Sequence, residues 1–175
     1  MKKSLIFIII TLILLLCSCN GGTTAEPPAP LAPENSEKEI NVMVYFASED
    51  SMYLIPEQRE IIYEKEEEIP LKIIETIIEG PVTKNLFPAI NKETEIKEVT
   101  VKNRIAEVVV GDNFISLNAG GSTKEFMALQ SITNSLVELS GIDSVRFKNP
   151  DGQIMEEFGS FALDLPLTKD TSIAD

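Results

Sequence analysis

The side chains able to do chemistry are few and mostly acidic. With no histidine, no tryptophan and only Cys17 and Cys19, the chain cannot build Cys/His zinc sites, Ser-His-Asp or Cys-His nucleophilic systems, or histidine-ligated haem. Carboxylate chemistry remains. Glu64, Glu66, Glu67 and Glu68 crowd one short stretch; their oxygens suit calcium, but the alternating ligands and glycine of a dedicated loop are missing, so a solvated charged turn is the preferred reading. Asp112 and Asn113 beside Gly111 could act as a catalytic pair, although a turn closing a hairpin accounts for the same residues. Gly120-Gly121-Ser122-Thr123 aims backbone N–H groups and a helix dipole at one spot that could receive a carboxylate. Helix capping explains those residues too, and a net charge of −13 opposes anion capture. Arg59 is expected to pair with Glu57 or Glu60 as an anchor rather than as a substrate contact. No catalytic, cofactor-binding or metal-ligating residue is assigned, and no enzyme activity is expected.

The two cysteines close an apolar run. Met1-Lys2-Lys3 starts the chain and an aliphatic stretch interrupted by Thr11 leads to Leu16-Cys17-Ser18-Cys19. A dozen residues reach only about 18 Å as a helix, short of a hydrocarbon core of about 30 Å. The run reads as the apolar core of a leader rather than a span. It resembles a bacterial lipoprotein signal: an aliphatic residue three before the cysteine, a small residue directly before it, then the modified cysteine. That resemblance implies cleavage after residue 18, a diacylglycerol thioether on Cys19 and loss of Cys17 with the leader. Two acyl chains hold far more firmly than one, because each buried methylene contributes about 0.8 kcal/mol. An uncleaved anchor helix and a secreted form cut elsewhere are the alternatives. Under the lipoprotein reading no disulfide can staple the exported part, and removal of Lys2 and Lys3 leaves it more acidic still.

The elements that must position any site follow a flexible tether. Residues 20–39 hold four prolines, two glycines and small polar residues, a spacer that could reach about 65 Å if fully extended. Residues 40–47 alternate into a strand apolar on both faces, which predicts a central position. Residues 48–51 are a turn. Residues 52–63 predict a more irregular strand, at an edge or broken, because Pro56 cannot donate to a ladder. Pro70 opens a helix carrying Leu71, Ile74, Ile77 and Ile78 on one stripe, and Gly80-Pro81 ends it. A loop with Asn85, Phe87 and Pro88 follows. Ile96–Lys102 and Ile105–Val110 predict a hairpin whose Asn103-Arg104 turn needs strain or a longer loop, since arginine resists positive φ. Ser122 and Glu125 fit a capping box ahead of a long helix with Phe126, Leu129, Ile132, Thr133, Leu136, Val137 and Leu139 as its buried stripe. A strand at 145–147, a turn at Pro150-Asp151-Gly152 and short strands near 153–156 and 161–165 complete the chain. The order predicts an α+β domain in which a sheet and helices form two layers.

Several of these pieces together resemble the GerMN domain of sporulation and germination lipoproteins. They are Val44-Tyr45-Phe46-Ala47, the run from Leu54 to Glu60, Glu79-Gly80-Pro81, the hairpin at 99–110, Gly120-Gly121-Ser122, Val145 to Phe147 with Asp151-Gly152, and Leu163 to Leu167. The match covers 41–168 and departs at Asn103-Arg104, where an aspartate-glycine type of turn is usual, and at Val110-Gly111. It implies an exported lipoprotein similar to ring-building motifs of helix-strand-strand-helix-strand order. The domain plan is therefore a signal peptide at 1–18, a lipidated start and tether at 19–39, a GerMN-like domain at 40–170 and a tail at 171–175. The function expected is a non-enzymatic module on the extracytoplasmic face of the cell membrane, held there by Cys19, that meets an envelope protein or a second copy of itself. Peptidoglycan or peptide binding is the alternative, and a carboxylate-dependent wall hydrolase, needing two acids about 5–9 Å apart, is the third reading. No cofactor is expected, and an acidic surface disfavours nucleic acid as a partner.

Overall fold

Val42, Val44 and Phe46 alternate with Met43, Tyr45 and Ala47 along β1 (Lys38–Ser48), and all except Met43 are buried. A strand apolar on both faces belongs inside a sheet. In the computed structural model, which describes residues 37–172, β1 indeed runs between β2 (Leu54–Tyr63) and β3 (Leu86–Phe87). β2 starts two residues later than expected but is more regular: it passes through Pro56 unbroken, with Pro56 opposite Tyr45. The Tyr45 N–H and C=O turn away from β2 and meet serine hydroxyls instead, so this is a non-hydrogen-bonded pair of the ladder. The proline's missing donor is therefore missing from the outer edge, where it costs the sheet nothing.

Between the sheets' strands lies α1 (Ile69–Glu79), with Pro70 in its first turn and Gly80 at φ 95° ending it as expected. The second sheet has the order β4-β5-β6, formed by β4 (Ile96–Lys102), β5 (Ile105–Val110) and β6 (Ser144–Lys148). β4 and β5 are antiparallel, whereas β6 runs parallel to β5. The connection is a true two-residue turn, with Asn103 at φ 51° and Arg104 at φ 65°. The expected strain is thus carried by Arg104, whose guanidinium is fixed by a two-point ion pair to Asp143 at 2.5 Å. Val99, Ala106, Val108, Val145 and Phe147 fill the inner face. On the outer face Glu107 lies beside Lys148 at 2.7 Å, and Lys148 first, then Lys102 and Arg146, hold its carboxyl below the usual glutamate range against the opposing effect of burial.

Two short elements were not foreseen, β3 and α2 (Phe114–Asn118). α2 places Phe114 against Phe147 and Phe158, with ring centroids 6.2 and 5.3 Å apart. α3 (Ser122–Val137) is the long helix, and every residue from Met127 to Leu136 is buried, polar ones included. The expected single stripe is thereby overtaken: the helix lies against β1, α1 and β6 together. The capping box also differs. Ser122 is the first helical residue and caps nothing, while Gly121 at φ 128° holds the cap position. Only the glutamate half forms: Glu125 accepts the Gly120 and Gly121 N–H groups at 3.2 and 3.4 Å.

Past β6, β7 (Glu157–Phe158) and β8 (Phe161–Ala162) form a small hairpin. Its turn is tied to α3 by the Ser160 N–H, which donates to Glu125 at 3.1 Å. The Ser160 N–H first, then that of Gly120, holds the Glu125 carboxyl below its usual range. Gly159 sits over this carboxylate at φ 58°, and an added Cβ would come within 2.1 Å of it. Gly159→Ala is expected to cost about 1–2 kcal/mol from left-handed backbone strain alone, with the displaced carboxylate adding to that. Thermal melts check it; an unchanged midpoint would show that the turn swings clear of α3.

Candidate functional site

Within the described residues, each position singled out from the sequence has a definite place. Arg59 pairs with Glu57 at 3.2 Å, not with Glu60, and also donates to the Gly80 carbonyl at 3.0 Å. Glu57, its side chain only 5% exposed, accepts the N–H groups of Val82 and Thr83 at 3.2 and 2.7 Å. Burial pushes the Glu57 carboxyl upward, but hydrogen bonds from Thr83, Val82 and Arg59 outweigh it and the net shift is downward. These two residues fasten the end of α1 to β2, so their role is anchoring.

Asn113 is likewise structural: its side chain donates to the Glu93 carbonyl at 2.7 Å and accepts the Glu95 N–H at 3.0 Å. Asp112 reaches outward to Lys97 at 3.3 Å. The two side chains are thus engaged separately, at the open end of the β4–β5 hairpin, and do not act as a pair.

Gly120, Gly121, Ser122 and Thr123 line a surface cleft of about 440 Å³ with Ala47, Pro88 and Lys124. The Gly120 and Gly121 N–H groups that could greet an anion are already turned to Glu125. Lys124 is also committed, to the carbonyls of Leu117 and Ala119 at 2.9 and 3.3 Å. A carboxylate from outside would have to displace the chain's own from these two donors.

Glu66, Glu67 and Glu68 form one 3₁₀ turn ahead of α1, and the Glu64 N–H donates to Glu68 at 3.3 Å. Among the described residues no group of three or more Asp, Glu, His or Cys is arranged to hold a metal ion. This turn instead forms the rim of a groove of about 810 Å³. Tyr63, Ile69, Pro70 and Ile142 give the groove its apolar wall, and Glu66 and Glu67 stand exposed at its margin. Its far side is the run Val99, Thr100, Val101 and Lys102. Successive residues of a strand point to opposite faces, so four in a row can line one groove only where it follows the strand's edge. The sequence held no local signal for this: the lining comes from segments far apart in the chain. Cys17, Cys19 and the tether up to residue 36 lie outside the described residues, while Lys38 and Glu39, expected in the tether, already belong to β1; no described helix is long and apolar enough to cross a membrane.

The helix-strand-strand-helix-strand path from α1 to β6, with the β1–β2 hairpin before it, defines an α+β domain of GerMN type. The chain belongs to the Germane family, described as sporulation and spore germination, whose model matches residues 43–155. A comparison with curated protein sequences gives no significant match. Among solved structures, the tandem GerMN domains of the sporulation protein GerM from Bacillus subtilis superpose with a TM-score of 0.57 at 17% identity, over 75% of this chain. This chain spans 45% of that tandem. The first GerMN domain alone gives 0.57 at 15% identity, over 76% of this chain and 98% of its own. A Clostridium perfringens chain classed provisionally as a lipoprotein gives 0.52 at 22% identity, over 77% of this chain and 89% of its own. At these identities the likeness concerns the fold.

Proposed function

We propose that this chain is a lipid-anchored, non-enzymatic envelope protein of sporulation or germination that docks another envelope protein through its GerMN-type domain. The observation that carries this reading is the apolar groove opening on a strand edge, bordered by exposed glutamates. A recognition surface needs an apolar floor with a few polar groups to orient the partner, and this groove has both. Support for a setting in the envelope comes from the family, from the Leu16-Cys17-Ser18-Cys19 signal and from the likeness to the Clostridium perfringens chain.

Two measurements test it. Cys19→Ala is expected to move the chain from the membrane to the soluble fraction and to abolish incorporation of labelled fatty acid, whereas Cys17→Ala leaves both unchanged. Label remaining on the Cys19 variant would overturn the anchor. Crosslinking in native envelopes, with and without the folded domain, is expected to yield an adduct that depends on the domain. Turnover of purified muropeptides without any adduct would instead establish a wall hydrolase.

A further inference from the structure

A sheet edge with free backbone groups is a template for another strand, and folded proteins normally close such edges. Here three are closed or blunted. The outer edge of β6 is covered: Val145 exchanges two backbone bonds with Leu167, and the Phe147 carbonyl accepts the Met155 N–H. β1 is met by β3 and, at Tyr45, by Ser131 and Ser135 of α3. β2 carries Pro56 on its outer side.

The outer edge of β2 beyond Pro56, at Gln58, Glu60 and Ile62, stays open among the described residues, but the open edge of β4 is the one that adjoins the apolar groove. The two-residue turn makes Lys102 and Ile105 a hydrogen-bonded pair, so Val101 and Val99, opposite Ala106 and Val108, direct their N–H and C=O away from β5. Among the described residues nothing bonds these groups. Val101 is 43% exposed, and the groove runs along this same stretch.

Resting on the docking reading above, we infer that the β4 edge at Val99–Val101 receives an extended segment of a partner protein as an added strand. That segment is apolar at alternate positions and carries lysine or arginine where it passes Glu66 and Glu67. Main-chain bonds to Val99 and Val101 supply the attachment, and pockets for alternate side chains supply the choice of partner. Alternate apolar side chains enter beside Tyr63, Ile69 and Ile142; the intervening ones lie beside Thr100 and Lys102. Charge decides between occupants. A second copy would bring another strongly acidic chain to the Glu66–Glu67 margin, whereas a basic segment complements it; Lys102, which also lines the groove, lies 4.0 Å from Glu107.

The probe is a labelled ten-residue peptide alternating valine with lysine and threonine, with a glutamate-for-lysine counterpart, added to the full exported chain. The lysine peptide is expected to bind at least about tenfold more tightly than the glutamate peptide and to slow amide exchange at Val99 and Val101. Val101→Pro removes an outward donor without touching the ladder and is expected to abolish that protection. Glu66→Lys with Glu67→Lys, on an exposed turn that leaves the fold intact, is expected to invert the peptide preference. Equal binding of both peptides, protection at another edge, or protection that rises with protein concentration alone would overturn the inference, the last by showing a second copy on β4. A domain-dependent envelope adduct that persists in Val101→Pro would sink the strand addition and leave the docking reading standing; absence of any adduct from the unaltered chain would sink the docking reading itself.

Discussion

Changing Ser131 and Ser135 together to alanine is expected to lower the free energy of unfolding by about 1–5 kcal/mol. The reason lies in the unusual neighbour of β1. Where a further strand would continue the sheet, α3 stands instead, and a helix has no free backbone groups along its length to offer. Its hydroxyls take their place: Ser135 Oγ accepts the Tyr45 N–H at 2.9 Å, and Ser131 Oγ donates to the Tyr45 carbonyl at 2.6 Å. Both serines and Tyr45 are buried. Removing the hydroxyls strands one donor and one acceptor out of reach of water, at about 1–3 kcal/mol each. Alanine's better helix propensity returns about 0.5 kcal/mol per position. Ser116, exposed on α2 and bonded only to the Asn113 carbonyl, is the control, and Ser116→Ala should stay within about 0.5 kcal/mol. Urea denaturation of the three proteins checks the difference. A double variant as stable as the control would mean that water reaches Tyr45 and that α3 merely lies near β1.

The same serines show where reading the sequence reached its limit. Alternation in β1, the stripe of α1, the Gly80-Pro81 stop and the valine-rich hairpin are signals between near neighbours, and all four elements formed where expected. Pro56 was legible as an edge marker because its missing N–H is a property of the residue alone. The polar face of α3 was not legible, since Ser131, Ser135 and Asn134 look like a solvated side until partners some 36–90 residues away reach them. β3 and α2 are too short to show a period. Among the candidate site residues, the Arg59–Glu57 pair could be seen because the two lie side by side on one strand face. The glutamates at 64–68 could be seen as a charged turn, but their place beside the β4 edge depends on how α1 packs on the second sheet, and no local spacing encodes that.

Glu57→Gln is expected to destabilise the fold by about 3 kcal/mol at neutral pH. The carboxylate accepts two backbone N–H groups and faces Arg59 while nearly excluded from water, so neutralising it leaves the guanidinium with a weaker partner in a confined place. Arg59 retains the Gly80 carbonyl and a looser contact with the exposed Glu79 at 3.6 Å, which limits the loss. The pH dependence gives a second, independent reading. Because the folded Glu57 carboxyl lies below its ordinary value of 4.5, its contribution is complete above that value and is lost as the pH falls through the lowered folded value. Glu107, Glu125 and Glu138 shift in the same direction, so the unaltered chain should lose stability steeply below about pH 4.5. In Glu57→Gln the acid slope should be shallower by up to one proton, and the two stability curves should converge at low pH. Parallel curves would mean that the substitution acts through packing at the end of α1, with no part played by the charge.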